Sequence, residues 1–553
     1  MGRASRRRCD VALSDQLVCP WRWARVNARW RFPALTGRVF DVLALRSMFR
    51  RPALWSASLG ALTTVAQRSV AQDTEGPVGN ASTVSEARAE TVVVRGKASG
   101  RGKAPGRATS KVSRADMEER LPRSAPDALR YEPGVFIQQT AHGQASAFVR
   151  GRTGQETVLL FDGIRLNTST WRQGPNQYFF TVDSQTIHSI EVVRGGSSTL
   201  YGSDAIAGAI DARPREPTLD LGADGPVVRP RATIRYASAD DAFGERFQLD
   251  TQASRRLRLL GGAGYRVVHR LESGGTVRSP VTGEIPQVPA FEADGRTQLG
   301  TGYREITGDG RIVYGIAPGQ RLVAAAYAYR QYDAPRTDQC PPPFASRDEC
   351  LRYEEQFRTL AYLAYDGDGG EAARTMRIAV SYQRQHERRL RERPRSFVNN
   401  GGRDDVDTFG VMAKVRTDPF VLFEGVSARL TYGGDGYADR VASAAWTEFT
   451  DVGMVIHGSR GQYLTGSRYA QGGVFAQVET DVGAWLTLRG GGRGGVAVAR
   501  APSDPESGTA GVDRSWQVAV GHAGVEVRPL DGVAVLGNVD RSFRAPNLDD
   551  LTS

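Results

Sequence analysis

Arg150, Arg152, Asp162, Glu191 and Arg194 are residues of the types that do acid–base work, and all fall within one stretch of 45 positions. Acid–base catalysis needs such groups beside a nucleophile or a second group of tuned proton affinity. No nucleophile–base pair accompanies them and His numbers only 6, so an enzyme is the weakest class for this chain. Carboxylates and guanidiniums without such a pair suit a buried polar network of ion pairs and hydrogen bonds. A second group is Trp171, Arg172, Gln173, Asn176 and Tyr178 in NTSTWRQGPNQYFF, with His142 in TAHGQAS. Rings to stack on and polar groups to hydrogen-bond a chelate are present there, and filling an interface is an equal use for them. Two metal- or phosphate-like stretches carry no chemistry. DGDGG at 366–370 lacks the later ligands and final Glu of a calcium loop, and RGGGRGG at 489–495 lacks the Lys-Ser/Thr of a phosphate loop.

The elements that must position these groups are mainly β. IEVVRG at 190–195 alternates apolar and polar side chains, and Gly195, Gly196 and Gly202 punctuate turns. Strands are predicted at 135–139, 147–150, 157–161 and 187–193, forming a small mixed sheet. A short helix is predicted at 124–130, capped by Ser124 with Pro126 in its first turn. From 228 onward β segments are joined by short connections (254–257, 317–320, 366–370, 417–423, 529–532) alternating with long ones (269–295, 332–352, 385–405, 438–470). Tight turns at one end and extended loops at the other are the pattern of an outer-membrane barrel. About thirteen strands can be counted this way.

Low hydropathy does not argue against a membrane, because in a barrel only every second residue meets lipid. The formal charge of +11 is misleading: residues 1–47 hold +7 and 48–71 hold +3, which leaves +1 for 72–553. A nucleic-acid partner thereby loses its electrostatic footprint. Met48 starts a charged, then apolar, then small-residue stretch ending in Ser69-Val70-Ala71, the form of a secretory signal peptide over 48–71. Residues 1–47 are then expected to be a mis-assigned upstream extension. Cys340 and Cys350 form the one pair in the exported part, and in an oxidising compartment their spacing suits a loop disulfide.

Three segments carry a resemblance: FVRGR at 148–152, VLLFDGIRLN at 158–167 and QTIHSIEVVRGGSSTLYGSDAIAGAID at 185–211. In this order they resemble the plug domain of TonB-dependent outer-membrane receptors, with Arg150, Gly151, Asp162, Gly163, Glu191, Arg194, Gly195, Tyr201 and Gly202 as the core motif. Glu90, Thr91, Val92, Val93 and Val94, alone in a polar region, resemble the TonB box; a bare Val-rich segment can add as a strand to another protein's sheet edge. The implied fold is a small α/β plug at 115–217 inside an antiparallel transmembrane β-barrel at 228–553, preceded by a disordered periplasmic segment at 72–114. Its basic, Gly- and Pro-bearing part at 95–114 reads as a solvated tether. The implied function is energised uptake, through TonB with ExbB and ExbD, of a scarce extracellular metal chelate across the outer membrane of a Gram-negative bacterium. No permanent cofactor is implied, and the family's outward plug loops, around His142 and 168–178, would touch the ligand. A ferric siderophore is the expected cargo, with haem or cobalamin as alternatives. Haem would need an axial His, for which His142 and His457 stand available. Of the family's 22 strands only about thirteen are expected, and FRAPNLDDL near Ser553 resembles a motif from inside the barrel, so the chain reads as C-terminally truncated and unable to form a working pore. A passive porin or a non-transporting fragment are the rival classes.

Overall fold

The computed structural model describes residues 107–553, apart from Thr153, 173–177, Asp224, 287–288, 340–348, 369–373 and 531–532. The chain divides into two units, 1–93 and 94–553, and every described residue lies in the second. The TonB-box-like run, Gln173, Asn176 and Cys340 therefore lie outside the described residues. Cys350 is disulfide-bonded.

The first element is a correction. Ala108–Ser113 form β1 where a tether was expected, because Lys111, Val112 and Ser113 pair antiparallel with a later strand. Ser113 then caps α1 (Arg114–Arg120) through a capping box with Asp116, a signal the sequence carried in SRAD. The helix expected at 124–130 shrinks to one 3-10 turn, Asp127–Leu129, whose N-cap is Pro126 with no side-chain cap. Next come β2 (Val135–Ala141), β3 (Gln144–Val149), β4 (Thr157–Phe161), β5 (Ile164–Arg165), β6 (Ile187–Arg194), α2 (Ser198–Tyr201) and β7 (Gly208–Pro214). One sheet has the order β1-β6-β7-β4-β5, with β4 and β7 parallel; β2 and β3 make a separate hairpin. The mixed sheet was expected to include the strands at 135–139 and 147–150, which instead make this separate hairpin, while β1, β5 and β7 complete the sheet around 157–161 and 187–193.

The second element is one long antiparallel sheet, the wall. Its strands are β8 (Val227–Ala237), β9 (Ala242–Gln252), β10 (Leu257–Val268), β11 (Tyr303–Ala317), β12 (Gln320–Pro335), β13 (Cys350–Gly367), β14 (Thr375–Glu392) and β15 (Val398–Arg416). They continue as β16 (Phe420–Phe423), β17 (Val426–Phe449), β18 (Met454–His457), β19 (Arg468–Val482), β20 (Leu486–Ala501), β21 (Val512–Leu530) and β22 (Val533–Asp540). Thirteen of them run in chain order from β8 to β22, while β16 and β18 pair to the side of β17. Strands β8 and β22 stand at opposite ends of this order, so the sheet is open. A short helix, α3 (Leu548–Thr552), follows.

Side-chain alternation gives the wall its two faces, reversed from those of a water-soluble sheet. Along β9, Phe243, Phe247 and Leu249 are exposed, whereas Arg246, Gln248 and Gln252 are buried. Apolar groups turned outward and polar groups turned inward fit a wall whose outer side meets lipid. The inner side receives the plug, and one buried cluster joins Phe161, Ile164 and Leu166 of the plug to Val323, Leu360 and Tyr362 of the wall. Among the described residues no helix is long and apolar enough to cross a membrane, which says nothing about strands.

Two predicted long loops turn out to be strand. Residues 385–405 lie mostly in β14 and β15, and 438–470 contain the ends of β17 and β19 with β18 between. Strand β17 alone has 24 residues, whereas crossing a bilayer takes about 9–11. Polar composition was read as loop, but a hairpin outside lipid keeps its backbone ladder whatever its side chains meet.

Candidate functional site at the seam between plug and wall

The turn between β4 and β5 consists of Asp162 and Gly163, at φ 54° and 79°. Two consecutive positive φ values are what a two-residue hairpin of the Asp-Gly type needs, so the sequence FDGI dictates the turn. Its consequence is to hold the buried Asp162 carboxylate against three strands of the wall. Arg311 of β11 donates to Asp162 Oδ2 at 3.1 Å, Arg377 of β14 at 2.9 Å and the Tyr362 hydroxyl of β13 at 2.6 Å. Arg213 of β7 lies 3.6 Å from the other oxygen. Arg311 also donates to Glu216, just after β7, at 3.0 Å, and Arg321 of β12 joins it there.

At the end where the long connections lie, a second set of contacts ties the plug to the wall. The buried Glu387 of β14 accepts from the Tyr178 hydroxyl, Arg172 and Arg389, the last of which reaches Asp404 at 2.6 Å. Trp171 and Tyr178 are 2% exposed, so they fill the seam in this state, and Arg172 retains 18% side-chain exposure beside it. His142 is buried: Nε2 lies 3.0 Å from Asp240 Oδ2, and Nδ1 accepts from the Gly302 backbone N–H at 3.3 Å. Both ring nitrogens are engaged, leaving none for a haem iron. His457 sits on β18, paired with Trp446 across the ladder.

The remaining motif residues divide. Arg194 is buried, donating to Ser110 of β1 at 2.8 Å with Glu132 at 3.8 Å. Arg150 and Gly151 form an exposed turn with positive φ, and Arg152, also exposed, pairs with Glu156 at 3.0 Å, so these two arginines stand outside the buried network expected of them. Glu191 is half-buried on β6 beside a large cavity, Gly195 turns the chain after β6, and Gly202 follows α2 and its Tyr201 at φ 77°, close under Arg493. Unforeseen partners are Arg311, Tyr362, Arg377 and Glu387. For three of them the inward direction was legible, since Arg311, Tyr362 and Arg377 occupy the strand face opposite the exposed neighbours Ile312, Leu363 and Ile378, but that alternation does not say which group they meet.

The carboxy-terminal segment also binds the plug. Phe543 and Ser198 exchange hydrogen bonds, Ala545 N–H donates to Ser203 Oγ at 3.0 Å, and Asn547 donates to the Trp171 carbonyl at 2.8 Å. FRAPN, which resembles a motif from inside the family's barrel, follows β22 and lies against the plug.

A bundle of strands whose lumen is filled by a separate domain, held by ion pairs, is the geometry of a plugged transporter. The profile of the TonB-dependent receptor plug domain matches residues 102–209, and that of the TonB-dependent receptor-like β-barrel matches 287–553. The chain belongs to the TonB-dependent receptor family. The chain is 33% identical over 105 residues to a vitamin B12 transporter, BtuB, of Vibrio vulnificus, covering 19% of this chain and 17% of that protein. It is 40% identical over 107 residues to an iron-regulated outer membrane virulence protein of Vibrio cholerae, covering 18% and 16%. Similar solved structures include the copper transporter OprC (TM-score 0.62, 14% identity, 78% of this chain and 63% of that one). The ferric citrate transporter FecA is another (0.62, 14%, 81% and 64%), as is the Serratia marcescens hemophore receptor HasR (0.62, 17%, 81% and 65%). The receptor chain thus spans less than two thirds of the length of these structures, and the curated matches cover about a sixth of theirs.

In this receptor Asp162 is charged. Burial alone would raise its carboxyl, but Arg377, Arg311, the Tyr362 hydroxyl and Arg213 together hold it below the ordinary carboxylate value. Such a group adds stability that is complete above its unfolded value, about 3.9, and is lost as pH falls through the folded one. Thermal unfolding of the purified receptor should therefore show an Asp162 contribution that persists from about pH 7 to about pH 4 and vanishes below. The difference from Asp162→Asn should follow the same course; a gap between the two that is unchanged at acid pH would contradict it.

Proposed function

We propose that the protein is an outer-membrane receptor for energised uptake of a scarce nutrient chelate, with a ferric siderophore as cargo. The plug holds the lumen until TonB, working with ExbB and ExbD, pulls on the segment at 90–94. The observation that carries this reading is the chemistry of the seam. Asp162, Glu216, Arg172 and Glu387 join plug to wall through ion pairs and hydrogen bonds. Such contacts are directional and are lost over a small displacement, unlike a continuous apolar interface. Family membership, outward apolar residues and the signal-like stretch at 48–71 support an outer-membrane location. The iron-regulated relative and the ferric citrate and siderophore receptors of similar fold support iron as the element carried. Arg172 is the ligand-facing residue of the plug, and the occupied ring nitrogens of His142 speak against haem.

Deleting residues 90–94 tests the coupling. Uptake of iron chelate by energised cells should fall to the level seen with an uncoupler, while binding at the cell surface is unchanged. Uptake that survives the deletion would favour a passive channel.

A further inference from the structure

Of the seven arginines buried among the described residues, six have a carboxylate at ion-pair distance: Arg165, Arg194, Arg246, Arg311, Arg489 and Arg493. The seventh, Arg358, is 3% exposed and has only neutral partners. Its guanidinium donates to Thr181 Oγ1 of the plug at 2.7 Å and to the amide oxygens of Gln383 and Gln385 on β14 at 2.7 and 3.0 Å. A buried cation without a counter-charge is costly to keep, and neutral acceptors offset only part of that cost. The wall could have matched Arg358 with a carboxylate at an inward position of β14, as it matches Arg172 with Glu387. It carries amides there instead.

Arg358 also faces the space between plug and wall. Together with Thr181, Phe161, Leu166, Tyr327 and Leu360 it lines a small cavity of about 20 Å³ between plug and wall. The same face of β13 continues through Tyr362 to Asp366, about 26 Å further at the strand's usual rise. There a cavity of about 970 Å³ opens at the short-turn end, bounded by seven Lys and Arg side chains against five Asp and Glu. Plug and wall are joined at Arg358 by one hydrogen bond, from the guanidinium to Thr181, so a shift of the 179–181 turn frees one of its donors into the lumen.

We propose that Arg358 selects the cargo by charge: the transported chelate is an anion, and as the plug moves its negative group replaces Thr181 on this guanidinium before passing to the positive lower cavity. The proposal rests on the transport reading above and narrows it to anionic chelates. Arg358 is a specificity residue of the route, distinct from the outer ligand-facing groups.

The test places substitutions in the chromosomal gene of the source bacterium and measures uptake of ferric citrate and haemin as anionic probes, and of ferrichrome and cyanocobalamin as neutral ones. Receptor-dependent, uncoupler-sensitive accumulation is expected for an anionic probe alone. Arg358→Gln should lower its initial rate by about tenfold or more with surface binding unchanged, and Arg358→Lys should keep most of it, since a lone guanidinium is asked only for charge. Thr181→Val removes the resting acceptor but keeps the cation, so its rate should stay near wild type. Accumulation of a neutral probe, wild-type rates in Arg358→Gln, or equal defects in Arg358→Gln and Thr181→Val, which would make Arg358 a mere clamp on the plug, each overturn charge selection. If no probe accumulates in a receptor-dependent and uncoupler-sensitive way, it is the transport reading that fails, and the selection proposal with it.

Discussion

Asp162→Ala is expected to loosen the plug more than any other single change at the seam, because it leaves Arg311 and Arg377 facing one another with their shared carboxylate gone. Arg311 is 1% exposed and cannot turn to water, although Glu216 still reaches its second nitrogen at 3.0 Å. Removing one partner of a buried ion pair typically costs about 3–5 kcal/mol, most of it the penalty of the charge left behind. The expected result is a lower unfolding temperature and a raised permeability of cells to bulky antibiotics that an occluded barrel excludes. Asp162→Asn keeps an acceptor for Tyr362 and should cost less than Asp162→Ala. Adding Arg311→Met to Asp162→Ala should restore part of the loss, since a missing charge needs no partner. If Asp162→Ala unfolds at the wild-type temperature and leaves permeability unchanged, the network does not hold the plug.

Gly208→Ala should be more severe and of a different kind. Gly208 opens β7, pairing with Arg194 of β6 on one side and Thr157 of β4 on the other. Its φ is +140°, and an added Cβ would stand 1.9 Å from the Val193 carbonyl oxygen, a backbone atom that cannot swing away. Either the β6–β7 pairing or the strand itself must shift, with a cost of about 4 kcal/mol or more, in the range reserved for core disruption. Little protease-resistant receptor is expected in the outer membrane. Gly151→Ala is the control: its φ is +75° but nothing lies within 4 Å of an added Cβ, so only the left-handed strain of about 1–2 kcal/mol applies. Equal accumulation of the two variants would show that the Gly208 contact is relieved cheaply.

A structural bridge between these predictions is the Asp-Gly turn. It was readable from FDGI because two residues between apolar runs need positive φ, a local requirement. The partners of Asp162 were not readable, since Arg311, Tyr362 and Arg377 lie 149, 200 and 215 positions away. Residues 108–120 show the reverse failure. The capping box was written in the chain, but the basic, small-residue context hid it, and β1 exists only because β6 offers an edge.

By itself, then, the sequence determined what rests on neighbours in the chain: the β character, the mixed plug sheet, the turns, the alternation that reverses the faces of the wall, and the family. Tertiary structure alone decided which polar residues become the seam. It put Trp171 and Tyr178 inside, used both nitrogens of His142, brought FRAPN onto the plug and left Arg358 without a carboxylate. The physical reason is that burial and charge pairing are properties of surfaces brought together over hundreds of residues, and no local pattern fixes which guanidinium will meet which acid.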